Sequence, residues 1–535
     1  MQYDYVIVGG GSAGCVLAGR LSADPGTSVC LLEAGPHDQH VLCRVPFGIA
    51  VMVPGKWRNW AFLTEPQPGF NGRSGYQPRG RMLGGSSSLN AMIYIRGHPS
   101  DYDDWAALGA RGWSFAEVLP YFKRSEGNER FGGTLHGGEG PLNVTDLVSP
   151  NLLNDNFLRA CAHLQLPRND DFNGPTQEGV GLYQVTQKNG ERWSSARAYL
   201  PPDARRRSNL RIATVTRALR IAFAGRRATG VVCRHGRAEE IIAASKAVVL
   251  SAGSFQTPQL LMLSGVGPGE ELKRHGIEVL HDLPGVGRNL QDHVDFTLLY
   301  RADSPHLFGF TPRALARLPR EILRWRRDRS GLLTSNFAEC GGFIKSDPSL
   351  PRPNLQLHFV VGLVDDHARK RHFCTGYSLH TCVLRPKSRG TVTLRDADPL
   401  SAPRIDPAFL SASEDLEVLL AGVKTARRIM AAPPFRALDP VELYVVGEAD
   451  DATLRQHIRQ RADTIYHPVG TCRMGAANDA DAVLDPTLKV RGLDRLYVVD
   501  ASVMPTLIGG NTNAPTIMIA EKAVDLLRAA SASAS

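Results

Sequence analysis

YDYVIVGGGSAGCVLAGRLSADPGTSVCLLE, the run from Tyr3 to Glu33, decides the fold. Tyr5-Val6-Ile7-Val8 is an apolar, β-branched stretch of the kind that forms a buried strand of a parallel sheet. Gly9-Gly10-Gly11-Ser12-Ala13-Gly14 follows at once, and Cys15 to Leu21 has the small, apolar composition of a helix packed on that strand. In G-x-G-x-x-G the first glycine permits a tight turn, the second lets backbone approach a pyrophosphate, and the third lets helix and strand pack closely, with the helix N-terminus facing the phosphates. A second strand, Ser28 to Leu32, ends in Glu33, placed to accept a hydrogen bond from a ribose hydroxyl. Strand, glycines, helix, strand and acid in this order predict a dinucleotide site in an α/β domain.

The rest of the chain is long enough for more than that domain. Its 535 residues predict two to four domains at about 150 residues each. With 43% hydrophobic and 21% charged residues the composition is that of an ordered globular protein. The net charge of +9 is spread thinly, and no recognition motif accompanies it, so nucleic acid is not an expected partner. Nine cysteines without a C-x-x-C pair supply neither a zinc knuckle nor a disulfide framework, so we expect no metal and reduced thiols, hence a cytoplasmic setting. The first strand begins too early for a secretory signal, and no window reaches the roughly 18 uninterrupted apolar residues of a spanning helix.

After Glu33, prolines 36, 46, 54, 66, 68 and 78 punctuate a long irregular excursion. It ends in Gly80-Arg81-Met82-Leu83-Gly84-Gly85-Ser86-Ser87-Ser88-Leu89-Asn90, small residues flanked by Met82, Leu83 and the apolar run Ala91 to Ile95, which reads as a buried loop against a bound group. Tyr102, Trp105, Trp113, Phe115 and Tyr121 read as core aromatics. Leu210 to Val215, Gly230 to Arg234 and Ala247 to Gly253 read as strands, and Pro258 to Gly265 as a helix. Asn354 to Val361 alternates, with Leu355, Leu357 and Phe359 on one face and Asn354, Gln356 and His358 on the other, the pattern of a half-buried strand. Tyr377 to Leu384 and Gly390 to Leu394 continue the style and predict a second, largely antiparallel sheet. His358 and His380 either face a substrate or, as lone strand histidines more often do, serve as satisfied structural residues. Glu414 to Met430 is an amphipathic helix, Leu496 to Asp500 a strand of the first domain ending in an acid, and Pro515 the start of a helix towards Ala529. The tail Ser531 to Ser535 is expected to fray.

Two further stretches carry chemistry: Tyr466-His467-Pro468-Val469-Gly470-Thr471-Cys472-Arg473-Met474-Gly475 and Gly509-Gly510-Asn511-Thr512-Asn513-Ala514-Pro515. Pro468 biases His467 to an extended backbone, which holds its ring in a defined direction. With the first glycine motif, the Gly80 to Asn90 loop and Gly253 to Gly267, they resemble the glucose-methanol-choline (GMC) oxidoreductase family over nearly the whole chain, most nearly its bacterial FAD-dependent alcohol and choline dehydrogenases. The resemblance implies a Rossmann-like FAD-binding domain over 1–155, 205–298 and 460–535, and a substrate-binding domain with the antiparallel sheet over 156–204 and 299–459. It implies FAD contacts from Gly9, Gly11, Ser12, Ala13, Gly14, Glu33 and Ala34, and from Arg81, Gly84, Gly85, Ser86, Asn90, Ala91, Met92 and Ile93. Val215, Ala252, Gly253, Asp500, Ala501, Asn511 and Thr512 complete that set. It carries the catalytic roles to His467 as base and Asn511 as its partner.

The implied reaction takes a proton from a primary alcohol with His467 and a hydride to flavin N5, giving an aldehyde. Asn511 hydrogen-bonds the developing alkoxide. Covalent members of the family that resemble choline oxidase carry histidine just before the loop asparagine; Leu89 stands there in this chain, so the FAD is expected to be non-covalent. Members resembling glucose oxidase use histidine where this chain has Asn511. The expected electron acceptor is a quinone or artificial dye, with an oxidase using oxygen as the alternative, and a lyase or decarboxylase as the reading from another class. Aliphatic alcohols rank above choline, for which no aromatic cage is legible. Arg313 to Arg329 has seven arginines against Glu321 and Asp328, with Leu315, Leu318, Ile322 and Trp325 aligned on one face if helical and Pro319 kinking or restarting it. This segment reads either as a solvated helix covering the substrate domain or as a peripheral contact with the cytoplasmic face of the inner membrane.

Overall fold

The computed structural model describes residues 1–444 and 447–532, arranged around two seven-stranded sheets. Sheet I is centred on Gln2–Val8, which pairs in parallel with Val29–Leu32 on one side and with Ala238–Leu250 on the other. Leu210–Ala213 extends it in parallel beyond Val29–Leu32, and Leu496–Val498 pairs in parallel with Ala238–Leu250. The 13-residue strand Ala238–Leu250 also carries an antiparallel meander of Arg227–His235 and Thr216–Ala224. Its parallel core reads VIV, CLL and VVL because it is buried on both faces: Val6, Ile7, Cys30, Leu31, Val248 and Val249 are fully buried.

Sheet II is antiparallel throughout, in the order Val441–Glu442, Val294–Arg301, Gly376–Val383, Leu355–Val360, Ala338–Ile344, Gly179–Leu182, with Asp463–Thr464 pairing Val294–Arg301. The main helices are α1 (Ser12–Leu21), α2 (Gly253–Leu263), α3 (Pro312–Asp328), α4 (Ser413–Met430) and α5 (Asn513–Ala532). α1 and α5 cover sheet I, and α4 covers one face of sheet II, where Leu416, Leu419, Leu420 and Val423 join the core formed by Leu355, Leu357 and Phe359.

The sequence reading is corrected at six places. α2 begins at Gly253 and contains Pro258; the Ser254 carbonyl that Pro258 cannot serve accepts instead from the Thr471 hydroxyl at 2.7 Å. α5 begins at Asn513, two residues before Pro515. Thr391–Thr393 pairs with Arg404–Asp406 in a separate ribbon, because Val392 and Ile405 pack on Phe62 and Phe255 and not on sheet II. Leu355–Val360 is buried on both faces. α3 runs unbroken through Pro319 and turns Leu318 and Trp325 inward onto Val45, Phe47 and Leu333, while Leu315 (54% exposed), Ile322 and Leu323 face out. Ser531 and Ala532 continue α5, with the Ser531 hydroxyl 2.6 Å from that of Tyr5; residues 533–535 of the expected frayed tail lie outside those described. Tyr102, Trp105 and Trp113 are fully buried, as their reading as core predicts.

Candidate active site

The strand ends of sheet I and the polar face of sheet II enclose one cavity of ≈ 660 Å³, within the usual range for cofactor and ligand sites. Sheet I contributes to it through tight turns. A Cβ on Gly14 would stand 1.9 Å from the Gly9 carbonyl, so α1 can lie against the first strand only with glycine there. The loop after Gly80 rests on the same turn: Gly84 N donates to Gly10 O at 2.7 Å, and a Cβ on Gly85 would be 2.7 Å from Gly11 Cα. α1 has no side-chain cap, so its first backbone N–H groups stay free for a ligand. Its first residue, Ser12, donates to Asn513 at the start of α5 at 2.7 Å, which brings both helix N-termini to the cavity.

These residues fit a flavin dinucleotide. A Cβ on Gly11 would meet only Ser251 O, at 3.9 Å, so a side chain there would fill open cavity where the expected pyrophosphate lies. Glu33 accepts from Gly10 N at 2.9 Å and Gly35 N at 2.7 Å, and burial pushes its carboxyl up to about 7. Each oxygen keeps a lone pair for a ribose hydroxyl. Asp500 accepts from Gly253 N, Thr257 and Ser502. Gly9, Gly11, Ser12, Ala13, Glu33, Ala34, Gly85, Ser86, Asn90, Ala91, Met92, Ile93, Ala252, Gly253, Asp500, Ala501, Asn511, Thr512 and His467 all line the cavity. Four expected contacts stand off its wall. Gly14 and Gly84 shape the turns behind it, Arg81 is exposed and stacks over Trp60 at 4.7 Å, and Val215 is 54% exposed with its N–H on Gly35 O. Leu89 is buried with Cys43, Met52 and Met82.

His467 is held from every side. Its N–H donates to the buried Asp292 carboxylate at 2.8 Å, and Asp292 also accepts from Thr464 (2.6 Å) and Gln77 (3.0 Å). The preceding Tyr466 has φ +76°, a conformation costly for a side-chain-bearing residue. It is fixed by its hydroxyl on His367 Nδ1 (2.6 Å) and by Arg79, which donates to its carbonyl at 2.8 Å. Pro468 O accepts from the Ser254 hydroxyl at 2.7 Å. The His467 ring, 8% exposed, has Nδ1 2.9 Å from His293 Nδ1 and Nε2 3.2 Å from Asn511 Nδ2. Asn511 Oδ1 accepts from Gln356 of sheet II at 3.1 Å. Burial, then the neighbouring His293, His358 and Arg79, hold His467 well below the usual histidine range, so the ring is neutral and one of its nitrogens is unprotonated.

Sheet II supplies the opposite wall through its alternate positions. His358 and His380, opposite one another in the strand register, both line the cavity. His380 is paired with Asp295 at 2.7 Å, whereas both ring nitrogens of the buried His358 lack a partner among the described residues and burial lowers it to about 3. Towards the surface the wall becomes apolar: Phe308 and Phe337 approach to 4.5 Å between centroids, Phe47 lies 5.1 Å from Phe337, and Leu307, Val360 and Leu363 join them. The cavity reaches Phe310 (47% exposed) and Leu315 at the start of α3. His293 and Arg79 were missed in the sequence; nothing local separates His293 from the other histidines, and only the tertiary fold brings it to His467.

Residues 3–295 match the N-terminal model and 386–520 the C-terminal model of the GMC oxidoreductases. The chain is 51% identical to an alcohol dehydrogenase (acceptor) of Pseudomonas putida, over 98% of its own length and 96% of that protein. It is 42% identical to the mitochondrial choline dehydrogenase of Homo sapiens, over 98% and 90% of the two chains. Among solved structures, a pyridoxine 4-oxidase from Mesorbium loti matches with a TM-score of 0.88 at 33% identity, covering 98% of each chain.

Proposed function

The chain belongs to the GMC oxidoreductase family and is an FAD-dependent oxidoreductase acting on CH–OH donors; from that premise we propose that it converts primary alcohols to aldehydes with His467 as base. The observation that carries this is the neutral His467 beside Asn511 Nδ2, buried where the cofactor-side and substrate-side walls meet. A substrate hydroxyl entering between them donates to His467 Nε2 and accepts from Asn511 Nδ2. As the O–H bond breaks, His467 takes the proton and Asn511 holds the developing alkoxide, an electrostatic role worth on the order of 3 kcal/mol. FAD, when bound, supplies the acceptor for the hydride leaving the alcohol carbon. Gln356 keeps the Asn511 amide turned the right way, and Asp292 with Arg79 keeps the His467 backbone in place.

The apolar wall around Phe47, Phe308 and Phe337, which Leu307, Val360 and Leu363 continue, favours an aliphatic chain. With Leu89 in an apolar cluster, the flavin has no histidine to attach to there, so acid precipitation should release all of it; flavin left on the polypeptide would contradict this. We assign the electrons to a quinone or dye, supported by the alcohol dehydrogenase (acceptor) among the relatives. Mixing the yellow protein anaerobically with a panel of primary alcohols tests the reaction. Bleaching by aliphatic alcohols, reversed faster by a quinone analogue than by air, is expected; no bleaching by any alcohol would overturn it.

For a lipid-dissolved quinone, we propose that α3 meets the cytoplasmic face of the inner membrane. Leu315, Ile322 and Leu323 are exposed there, and Arg313, Arg320 and Arg326 form no ion pair among the described residues. At roughly 1 kcal/mol per basic residue such a patch holds a protein weakly and in a salt-sensitive way. Co-sedimentation with anionic vesicles at low salt, lost in a variant with Arg324, Arg326 and Arg327 as Gln, is the expected result; equal supernatants would leave α3 a solvated helix.

A further inference from the structure

We infer that His293 is a positioning residue that dictates which ring nitrogen of His467 carries the proton, leaving Nε2 as the basic atom. The inference rests on His467 being the base. It starts from a group with no freedom: the Leu384 carbonyl can only accept, and His293 Nε2 lies 3.1 Å from it, so that nitrogen bears a hydrogen. His293 is fully buried and makes no carboxylate contact, so it is neutral, with a single N–H, and its Nδ1 is a bare acceptor. His467 Nδ1 stands 2.9 Å away. Two bare nitrogens at that separation would face lone pair to lone pair, so His467 Nδ1 carries the hydrogen and donates it. The lone pair of His467 is thereby placed on Nε2.

The chain of donors closes consistently from its other end. Gln356 Nε2 donates to Asn511 Oδ1, which turns Asn511 Nδ2, a donor, towards His467 Nε2 at 3.2 Å. That contact requires Nε2 to accept. The tautomer is thus set by Leu384 acting through His293, and the orientation of the Gln356 and Asn511 amides agrees with it. The other tautomer of His467 would set N–H against N–H at Asn511 and lone pair against lone pair at His293.

The arrangement gives His293 the orienting part that a buried aspartate plays in a serine hydrolase, but without its charge. When His467 takes the alcohol proton it becomes an imidazolium whose Nδ1–H still donates to a neutral acceptor. No covalent bond forms or breaks at His293, and no proton passes to it. A neutral orienting group does not raise the basicity of His467 as a carboxylate would, which favours release of the proton after each turnover. The charged and titratable groups around the pair are Arg79, His358 and Asp292 at His467, with Arg385 and Asp101 behind His293. None of them contacts either Nδ1 atom.

The test uses FAD-loaded protein in two variants. His293→Phe keeps an aromatic ring and removes the acceptor; His293→Asn restores a carbonyl oxygen near the place of Nδ1. We expect His293→Phe to lower kcat about a hundredfold with flavin retained and His293→Asn to recover to within about tenfold of wild type, since a wrong tautomer of a catalytic histidine costs up to about 10⁴ in rate. Histidine ¹⁵N NMR of the wild type, with the His467 signals assigned by their loss in His467→Gln, should show hydrogen on Nδ1 and none on Nε2. The proposal is overturned by a wild-type Nε2–H tautomer, by full turnover in His293→Phe, or by His293→Asn being as slow as His293→Phe. If His293→Phe does not fold, the wild-type spectrum alone decides. Were His467 not the base, His467→Ala would stay active while the tautomer remained readable, so the two failures are distinct.

Discussion

The two walls of the cavity are made of different material. The wall from sheet I is largely backbone: glycine turns, free N–H groups at α1, and acids such as Glu33 that brace the turns. The wall from sheet II is side chain: His358 and Val360 from alternate strand positions, then a rim of phenylalanines. A backbone wall binds whatever fits its fixed curvature, so changes there should remove the cofactor altogether. A side-chain wall can be altered residue by residue, so changes there should adjust rate and specificity with the cofactor still in place.

The largest effect tests the first half of that contrast. Gly14→Val would drive a side chain into the Gly9 carbonyl, and the purified protein should carry no flavin, read as the flavin-to-protein ratio; a yellow Gly14→Val protein would break the comparison. Asn511→Ala, at the seam of the two walls, should retain FAD while kcat falls tenfold to a thousandfold, the range of about 10–10³ for a lost alkoxide donor. Phe308→Leu lies wholly on the side-chain wall. Flavin content should be unchanged while the ratio of kcat/KM between a long and a short alkyl alcohol shifts about tenfold, the scale of one or two methylenes in an apolar site. An unchanged ratio would mean that the phenylalanines do not meet the substrate.

The smallest expected effect concerns stability. His293, His358 and His467 are neutral because burial holds all three below the usual range, the first two at about 3. Between pH 6.5 and 3 the unfolded chain binds protons that the folded one refuses, so stability is fully present above pH 6.5 and falls as the pH drops below it. His358 alone should cost about 1.4 kcal/mol between pH 7.5 and 5.5. Urea titrations of wild type and His358→Gln at the two pH values should show the variant losing that much less; parallel losses would place His358 in a wetter setting than its burial implies.

The same contrast explains what the sequence could and could not tell. Backbone geometry is written locally, because only glycine tolerates the contacts at positions 14 and 85, so the motif from Gly9 to Glu33 and the loop to Asn90 were legible as one site. The His467 and Asn511 stretches were legible through family resemblance and not through spacing. Sheet II was legible as a strand pattern, but alternation shows only that a strand has two faces and not that its polar face borders a cavity. Between a structural and a cavity-facing His358 the sequence could not decide for that reason. His293 was invisible because its importance lies in one contact across 174 residues and another to a backbone carbonyl. On α3 the periodicity was read correctly as helical, but the inward face is set by the cluster of Val45, Phe47 and Leu333, which no local pattern records.

Central to all of this is that His467 takes the alcohol proton. FAD-loaded His467→Ala, mixed anaerobically with a saturating primary alcohol in a stopped-flow instrument, tests it most directly, because only the reductive half-reaction is then observed. Flavin reduction slowed at least about a hundredfold, with flavin content equal to wild type, is the predicted result. Reduction within a few-fold of the wild-type rate would contradict it.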